Sequence, residues 1–289
     1  MSITGYSLGG PVWAHPDWVG RLYRRGSKPS DFLSQYASVF NAVEGNTTFY
    51  ATPSPETVKR WCDVTPESFQ FCFKLPRIVT HEIRLREHAW LHVDRFLLAI
   101  EPLTSRLGPL LLQLPPSFGG SDFDVLMRFI EKLPSPFLWA LEVRHPDYFG
   151  EAALNTTLNA FLHEHGVDRV IFDTRGAFES DPSDPAVRLA QSKKPRTQWQ
   201  PVATGMRPVV RYCGRPNPDE GYDDARLRFW SRHFSQWIIE GRRPLFFAHT
   251  PGDILIPELA TRFHNILCQQ VDVGSVPRFP GETRQMSLF

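Results

Sequence analysis

Residues 40–61 read FNAVEGNTTFYATPSPETVKRW, and the fold is decided by how this stretch divides. Residues 40–48 have the apolar and β-branched character of a strand, and side chains on a strand alternate between faces. Glu44 and Asn46 therefore share one face. A polar loop follows, and then Ser54 with Pro55 supplies an N-cap and a first helical position. The unit is strand, loop, helix.

Outward from this stretch the same unit recurs. Strands are predicted at 2–8, 40–48, 69–75, 109–114, 138–143, 168–174, 208–213 and 244–249. Helical spacing fills the intervals: Phe32, Tyr36 and Phe40 lie four apart on one face. Ser121 with Asp124 resembles a capping box ahead of Leu126, Phe129, Ile130 and Leu133. Leu227, Trp230, Phe234, Trp237 and Ile238 form a stripe that stops at Gly241, a C-cap residue. Leu259, Phe263, Ile266 and Leu267 form the last stripe. Eight strands alternating with helices suit a single (β/α)8 TIM-like barrel of about 250 residues. A doubly wound sheet usually carries a glycine-rich turn after its first strand, and GYSLGGPVWAHP has no GxGxxG. The barrel is assigned to residues 1–273, and residues 274–289 to a flexible Gly- and Pro-containing tail that ends in QMSLF.

Composition narrows the class. The 289 residues carry 32 basic and 31 acidic side chains, a formal charge of +1, which argues against a polyanion-coating tail. No apolar run approaches the ~20 residues of a membrane span, and MSITGYSLGG lacks the features of a secretory signal. The four cysteines form no CxxC pair, against zinc-finger spacings and a disulfide scaffold. A cytoplasmic globular protein is expected, with no membrane partner.

Two loops are long, those after strands 1 and 6, and both open at the end of a barrel where sites are kept. Residues 9–28 interleave Trp13, Trp18 and Tyr23 with Arg21, Arg24, Arg25 and Lys28. That pattern could stack on bases, but it suits better a rim of aromatics packed on the barrel with solvated arginines. Residues 176–207 carry Arg188, Lys193, Lys194 and Arg196 near Trp199.

Polar residues gather at the C-terminal ends of the predicted strands. Alternation pairs Glu44 with Asn46, Glu142 with Arg144, and Asp173 with Arg175. Lys74 ends strand 3, Gln113 ends strand 4, Arg211 lies in strand 7 and His249 closes strand 8. His81 and His145 sit in adjoining loops. Glu44, Glu142, Asp173 and His249 are the catalytic candidates, with Glu142 the first choice for acid–base work beside Arg144. Asn46, Lys74, His81, Gln113, Arg144, His145, Arg175 and Arg211 are candidates for binding substrate. The arginines and Lys74 point to a phosphate or carboxylate. A divalent metal could be held by Glu44, Glu142, Asp173, His145 and His249, although no HExxH-type spacing fixes a ligand set. The competing reading is structural: Glu44 with Lys74, or Glu142 with Arg211, as buried ion pairs. No GxSxG nucleophile motif is present.

The run W-x4-W-x4-Y, with EGNTTFYATPSPETVKRW, FQFCFKLPRIVTH, LLLQLPPSF and ALEVRHPDYF, resembles the YecE-like family, catalogued as domain of unknown function 72. The resemblance extends from Gly5 to Leu267. It implies a TIM barrel and no defined activity, and by analogy alone a kinship with metal-dependent DNA-repair endonuclease barrels. The family's recurrent polar positions fall on Glu44, Asn46, Lys74, Pro76, His81, Gln113, Glu142, Arg144, His145, Asp173 and Arg211. Two motifs depart from its pattern. RYCG places Cys213 where a histidine is common, and AHT replaces an asparagine pair at the end of strand 8, with His249 the candidate to compensate for the first. Separately, Gln285, Leu288 and Phe289 of QMSLF resemble a bacterial sliding-clamp docking peptide.

The function expected is an enzyme acting on a phosphorylated or nucleic-acid substrate, in the form of a metal-assisted phosphodiester hydrolase. The alternatives are an isomerase or lyase on a small sugar-like or carboxylated metabolite, and a non-catalytic clamp-associated module.

Overall fold

The computed structural model describes residues 3–196, 199–216 and 220–282, with the backbone alone for 220–222. Strands form at all eight expected places: Ser7–Gly9 (β1), Ala42–Gly45 (β2), Gln70–Phe73 (β3), Leu110–Gln113 (β4), Trp139–Glu142 (β5), Asp168–Asp173 (β6), Val209–Cys213 (β7) and Leu245–His249 (β8). Between them run helices Pro29–Ala37 (α1), Pro55–Val64 (α2), Trp90–Ile100 (α3), Phe123–Ile130 (α4), Ala153–Glu164 (α5), Arg175–Phe178 (α6), Pro185–Lys193 (α7), Glu220–Ile239 (α8) and Ile256–Leu267 (α9).

All recorded strand pairings are parallel. A continuous ladder runs β1-β8-β7-β6-β5-β4, and β2 pairs with β3. The ladder thins at two seams. Between β3 and β4, Leu75 N–H donates to Leu111 O at 3.0 Å and Gly108 N–H to Phe71 O at 3.0 Å. Between β1 and β2, Glu44 N–H donates to Gly10 O at 3.0 Å, and side chains do the rest. Asn41 accepts from Leu8 N–H at 2.7 Å and donates to Tyr6 O at 3.0 Å, while Tyr36 O–H accepts from Gly10 N–H at 2.7 Å. The strands approach so closely there that a Cβ on Gly9 would lie 1.9 Å from Ala42 O. The order is that of a TIM-like barrel.

Alternation sorts each strand into two faces. Ala42, Cys72, Leu111, Ala140, Val170, Val209, Leu245 and Phe247 form one buried cluster, drawn from β2 through β8, which is the barrel interior. Val43, Phe71, Leu112, Leu141, Ile171, Val210 and Phe246 belong to a separate cluster shared with the helices, which is the outer layer. Phe263 of α9 stacks on Phe246 with ring centroids 3.7 Å apart.

Local chemistry sets the helix ends. Ser54 caps α2 by accepting from Thr57 N–H at 3.3 Å. Gly241 follows α8 with φ +82°, and Arg242 N–H closes back on Trp237 O at 2.8 Å, the geometry glycine permits at this position. The capping box expected at Ser121 is displaced: a 3-10 turn occupies Gly120–Asp122, and α4 begins at Phe123 with Asp122 as its N-cap residue.

The aromatic loop after β1 packs inward. Trp18 and Tyr23 are fully buried, Tyr23 stacks on Phe32 at 4.6 Å, and Arg21 pairs with Glu258 at 2.5 Å. Of the two readings of this loop, packing is the one the coordinates support. Residues 274–282 do not begin a free tail. Phe279 is buried against Phe40, and Gly281 N–H donates to Leu22 O at 3.2 Å; burial of the apolar ring and this backbone bond together hold the segment on the barrel. Gln285, Leu288 and Phe289 lie outside the described residues. Among the described residues, no helix is long and apolar enough to cross a membrane.

Candidate functional site

The interior layer continues into the mouth by the two-residue rule. Two positions beyond Ala42, Cys72, Leu111, Ala140, Val209 and Phe247 come Glu44, Lys74, Gln113, Glu142, Arg211 and His249, so all six point into the barrel. They meet below a cavity of about 630 Å³ at the C-terminal end. Its walls include Asn46, Lys74, Arg77, His81, Gln113, Arg144, Phe172, Lys193, Lys194, Arg211, His249 and Asp253.

Arg211 organises the floor. Its guanidinium binds Glu44 in a fork, with Nε 2.7 Å from Oε2 and Nη2 3.0 Å from Oε1, and its Nη1 donates to Glu142 Oε2. The Phe172 ring lies under it at 4.1 Å. Lys74 Nζ sits 3.1 Å from Glu44 Oε1, and Arg144 Nε donates to Glu142 Oε1 at 2.7 Å. Both expected ion pairs exist, joined in one chain: Lys74, Glu44, Arg211, Glu142, Arg144.

These neighbours fix the charge states. Burial alone would raise Glu44, but Arg211, Lys74 and His249 outweigh it and hold the carboxyl well below its ordinary range. Burial likewise opposes ionisation of Glu142, and Arg211, Arg144 and Lys74 bring it down to about 2. Both carboxylates therefore stand ionised at neutral pH, held so by the cations around them. Burial lowers Lys74 to about 8; Arg211 adds to this and Glu44 resists it. Burial also lowers His249 to about 4 against the pull of Glu44, and lowers His81 to about 4 with Arg144 and Arg77 adding to it. Both imidazoles are neutral at pH 7. His249 Nε2 stands 3.4 Å from Glu44 Oε2, at the outer limit for a hydrogen bond, and its geometry leaves Nε2 without a full partner. The amide oxygens of Asn46 and Gln113 are also buried without a protein partner, although Asn46 Nδ2 donates to Pro11 O at 3.0 Å.

Three expected residues stand elsewhere. Asp173 shares the outward face of β6 with Ile171; its carboxylate accepts from Trp230 Nε1 at 2.9 Å and from Arg175 at 2.9 and 2.7 Å. Arg175 in turn lies over Trp199 at 4.2 Å. This pair holds α6 and α8 to the barrel, and Phe172 takes the inward position. His145 accepts from Asp147 N–H at 3.2 Å, capping a 3-10 turn, and its ring lies against Gly119.

The site gains four charged residues absent from the expected set: Arg77, Lys193, Lys194 and Asp253. Lys193 and Lys194 arrive from the end of α7, the long segment after β6. Asp253 adopts φ +59°, a costly conformation for a residue with a Cβ, in the loop after β8. A basic pair in a long post-strand loop was the available signal for the lysines. Nothing local in the sequence marked Asp253.

The metal donor set does not assemble. Arg211 stands between Glu44 and Glu142, while Asp173 and His145 face away. Among the described residues, no group of three or more His, Cys, Asp or Glu is placed to hold a metal ion. Cys213 is buried, and burial pushes its thiol up to about 11.

The family described as "Protein of unknown function DUF72" matches residues 7–283. UPF0759 protein YecE of Escherichia coli (strain K12) is 38% identical over 283 residues, 98% of this chain and 99% of that protein. UPF0759 protein YunF of Bacillus subtilis (strain 168) is 25% identical over 74% of each chain. Crystal structures of DUF72 family proteins share the fold. That from Thermotoga maritima MSB8 has a TM-score of 0.68 at 24% identity, covering 91% of this chain and 98% of its own. One from Enterococcus faecalis V583 has a TM-score of 0.69 at 19% identity, covering 94% and 98%. A match over nearly the whole length, together with a 38% identical relative, makes this chain a member of the DUF72 family.

Proposed function

We propose that the chain is an enzyme whose mouth cavity binds a small phosphorylated or carboxylated substrate, with no role for a metal in the floor cluster. The observation that carries this is the charge of the cavity. Lys74, Arg77, Arg144, Lys193, Lys194 and Arg211 face Glu44, Glu142 and Asp253, a surplus of three positive charges with both histidines neutral. Arginine forks and lysine ammonium groups suit phosphate and carboxylate oxygens. The neutral imidazoles of His81 and His249 supply proton acceptors beside the anion site. Of the two substrate types expected from the sequence, a small metabolite is favoured over nucleic acid, because these six cations line a cavity and the chain's net charge is only +1.

Thermal denaturation with inorganic phosphate, sugar phosphates, organic acids and a short DNA duplex tests the reading. A ligand at about 100 times its Kd adds ~2.7 kcal/mol. Stabilisation by small anions that is lost in Arg144→Ala and Lys194→Ala supports the proposal. Indifference to every small anion refutes it. Independently, we propose that QMSLF docks on the DNA sliding clamp through Gln285, Leu288 and Phe289. Equal recovery of the clamp with and without residues 285–289 would dismiss that.

A further inference from the structure

The floor cluster has an odd charge count. Lys74, Arg211 and Arg144 bring three cations to the two carboxylates Glu44 and Glu142, all linked by the contacts given above. Two guanidiniums balance two carboxylates, so the surplus charge resides on the amine. Of the three cations only a lysine can give up its proton in ordinary buffers. Lys74 is also the one placed as a nucleophile: it ends a barrel strand, opens on the cavity, and has His81 and His249 on the same walls.

We propose that Lys74 forms an imine with the carbonyl carbon of an anionic aldehyde or ketone held in the mouth. This deepens the reading above and rests on it. The atoms balance without a co-reactant. The ammonium and the carbonyl give an iminium and one water: a C–N double bond forms, the carbonyl C–O bond breaks, and two of the three ammonium protons leave with the oxygen. The net charge is +1 before and after, so Glu44 has a cationic partner in both end states. The amine must be neutral when it attacks, and its proton needs a temporary acceptor. Glu44 Oε1 is 3.1 Å from Nζ and Glu44 Oε2 is 3.4 Å from His249 Nε2. The carboxylate thus lies between the amine and a neutral imidazole able to take a proton and return it to the departing hydroxyl. Lys193 and Lys194, with Arg77 beside its exposed partner Glu82, line the walls available to the substrate's anionic group.

The amine's lowered value of about 8 fits the step. Compared with an ordinary lysine near 10.5 it carries roughly 300-fold more neutral amine at neutral pH.

The experiment uses the full chain, pyridoxal 5′-phosphate as an anionic aldehyde, and borohydride to reduce any imine to a stable secondary amine, read by peptide mass mapping. Lys74 is expected to be trapped faster than exposed Lys59, by up to roughly 300-fold, the ratio of their neutral fractions. Unphosphorylated pyridoxal should label it far more slowly, and inorganic phosphate should protect it. Lys74→Arg keeps the cation and should remove the adduct without shifting it to Lys193 or Lys194. Label on Lys193 or Lys194 with Lys74 untouched, while phosphate still stabilises the protein, overturns the imine and leaves the anion site standing. If phosphate neither stabilises nor protects, the anion site fails as well.

Discussion

Replacing Arg211 with methionine is the sharpest test of the floor cluster. The side chain is buried, and its guanidinium is the direct partner of both Glu44 and Glu142. Methionine fills similar volume but leaves two carboxylates facing each other, with Lys74 and Arg144 as their remaining cations. Breaking one partner out of a buried pair costs about 3–5 kcal/mol. A second estimate agrees. Holding Glu142 at about 2 instead of 4.5 corresponds to roughly 3 kcal/mol of interaction with its surroundings, a large part of it from Arg211. The sign with pH follows. In the wild type the two carboxylates are depressed, so their contribution is full above about 4.5 and is lost as pH falls towards 2. In Arg211→Met burial raises them, so the variant gains stability as pH falls and they protonate. The expected result in urea or thermal denaturation is a loss of about 3–5 kcal/mol at pH 7, about 6–20 °C in Tm for a chain of this size. The gap from wild type should narrow at pH 5. A loss below about 1 kcal/mol, within the range of an ordinary surface pair, or a gap that does not change with pH, would refute the network as described.

Other consequences of the same coordinates are open to direct measurement. Sulfate keeps its charge across the neutral range, so its stabilising effect should weaken as pH rises through about 8 and Lys74 loses its proton; Lys74→Arg should abolish that decline, and a decline of equal size in the variant counts against Lys74. Asp173→Asn should cost about 1–3 kcal/mol, because a buried acceptor of Arg175 and Trp230 is weakened, yet leave the sulfate effect intact. A selective loss of sulfate binding would return Asp173 to the site. Phe279→Ala should destabilise by about 3 kcal/mol if its ring is packed on Phe40 as described; an unchanged Tm shows that residues 274–282 are free.

Much of this protein was legible in its sequence. The eight strands, the helix caps at Ser54 and Gly241, and the cluster Glu44, Lys74, Gln113, Glu142, Arg211 and His249 follow from patterns that act within a few residues. Alternation is a local rule, and a polar residue closing an apolar run has few places to go in a buried strand. The limit of that rule is β6. Val170, Ile171 and Phe172 are all apolar, as a strand covered on both faces requires, so the sequence could not say which face was inner, and Asp173 fell on the other one. Which carboxylate meets which cation was likewise beyond reach. Arg211 contacts Glu44 across 167 positions and Glu142 across 69, and only the packing of strands from distant parts of the chain sets such distances. The same holds for Arg77, Lys194 and Asp253, carried into the mouth by three separate loops. Composition and periodicity determined that a barrel would form and that its polar end would be charged. Tertiary structure alone decided that Arg211 would sit between the two glutamates, because charge pairing depends on separation in space and the sequence records only separation along the chain.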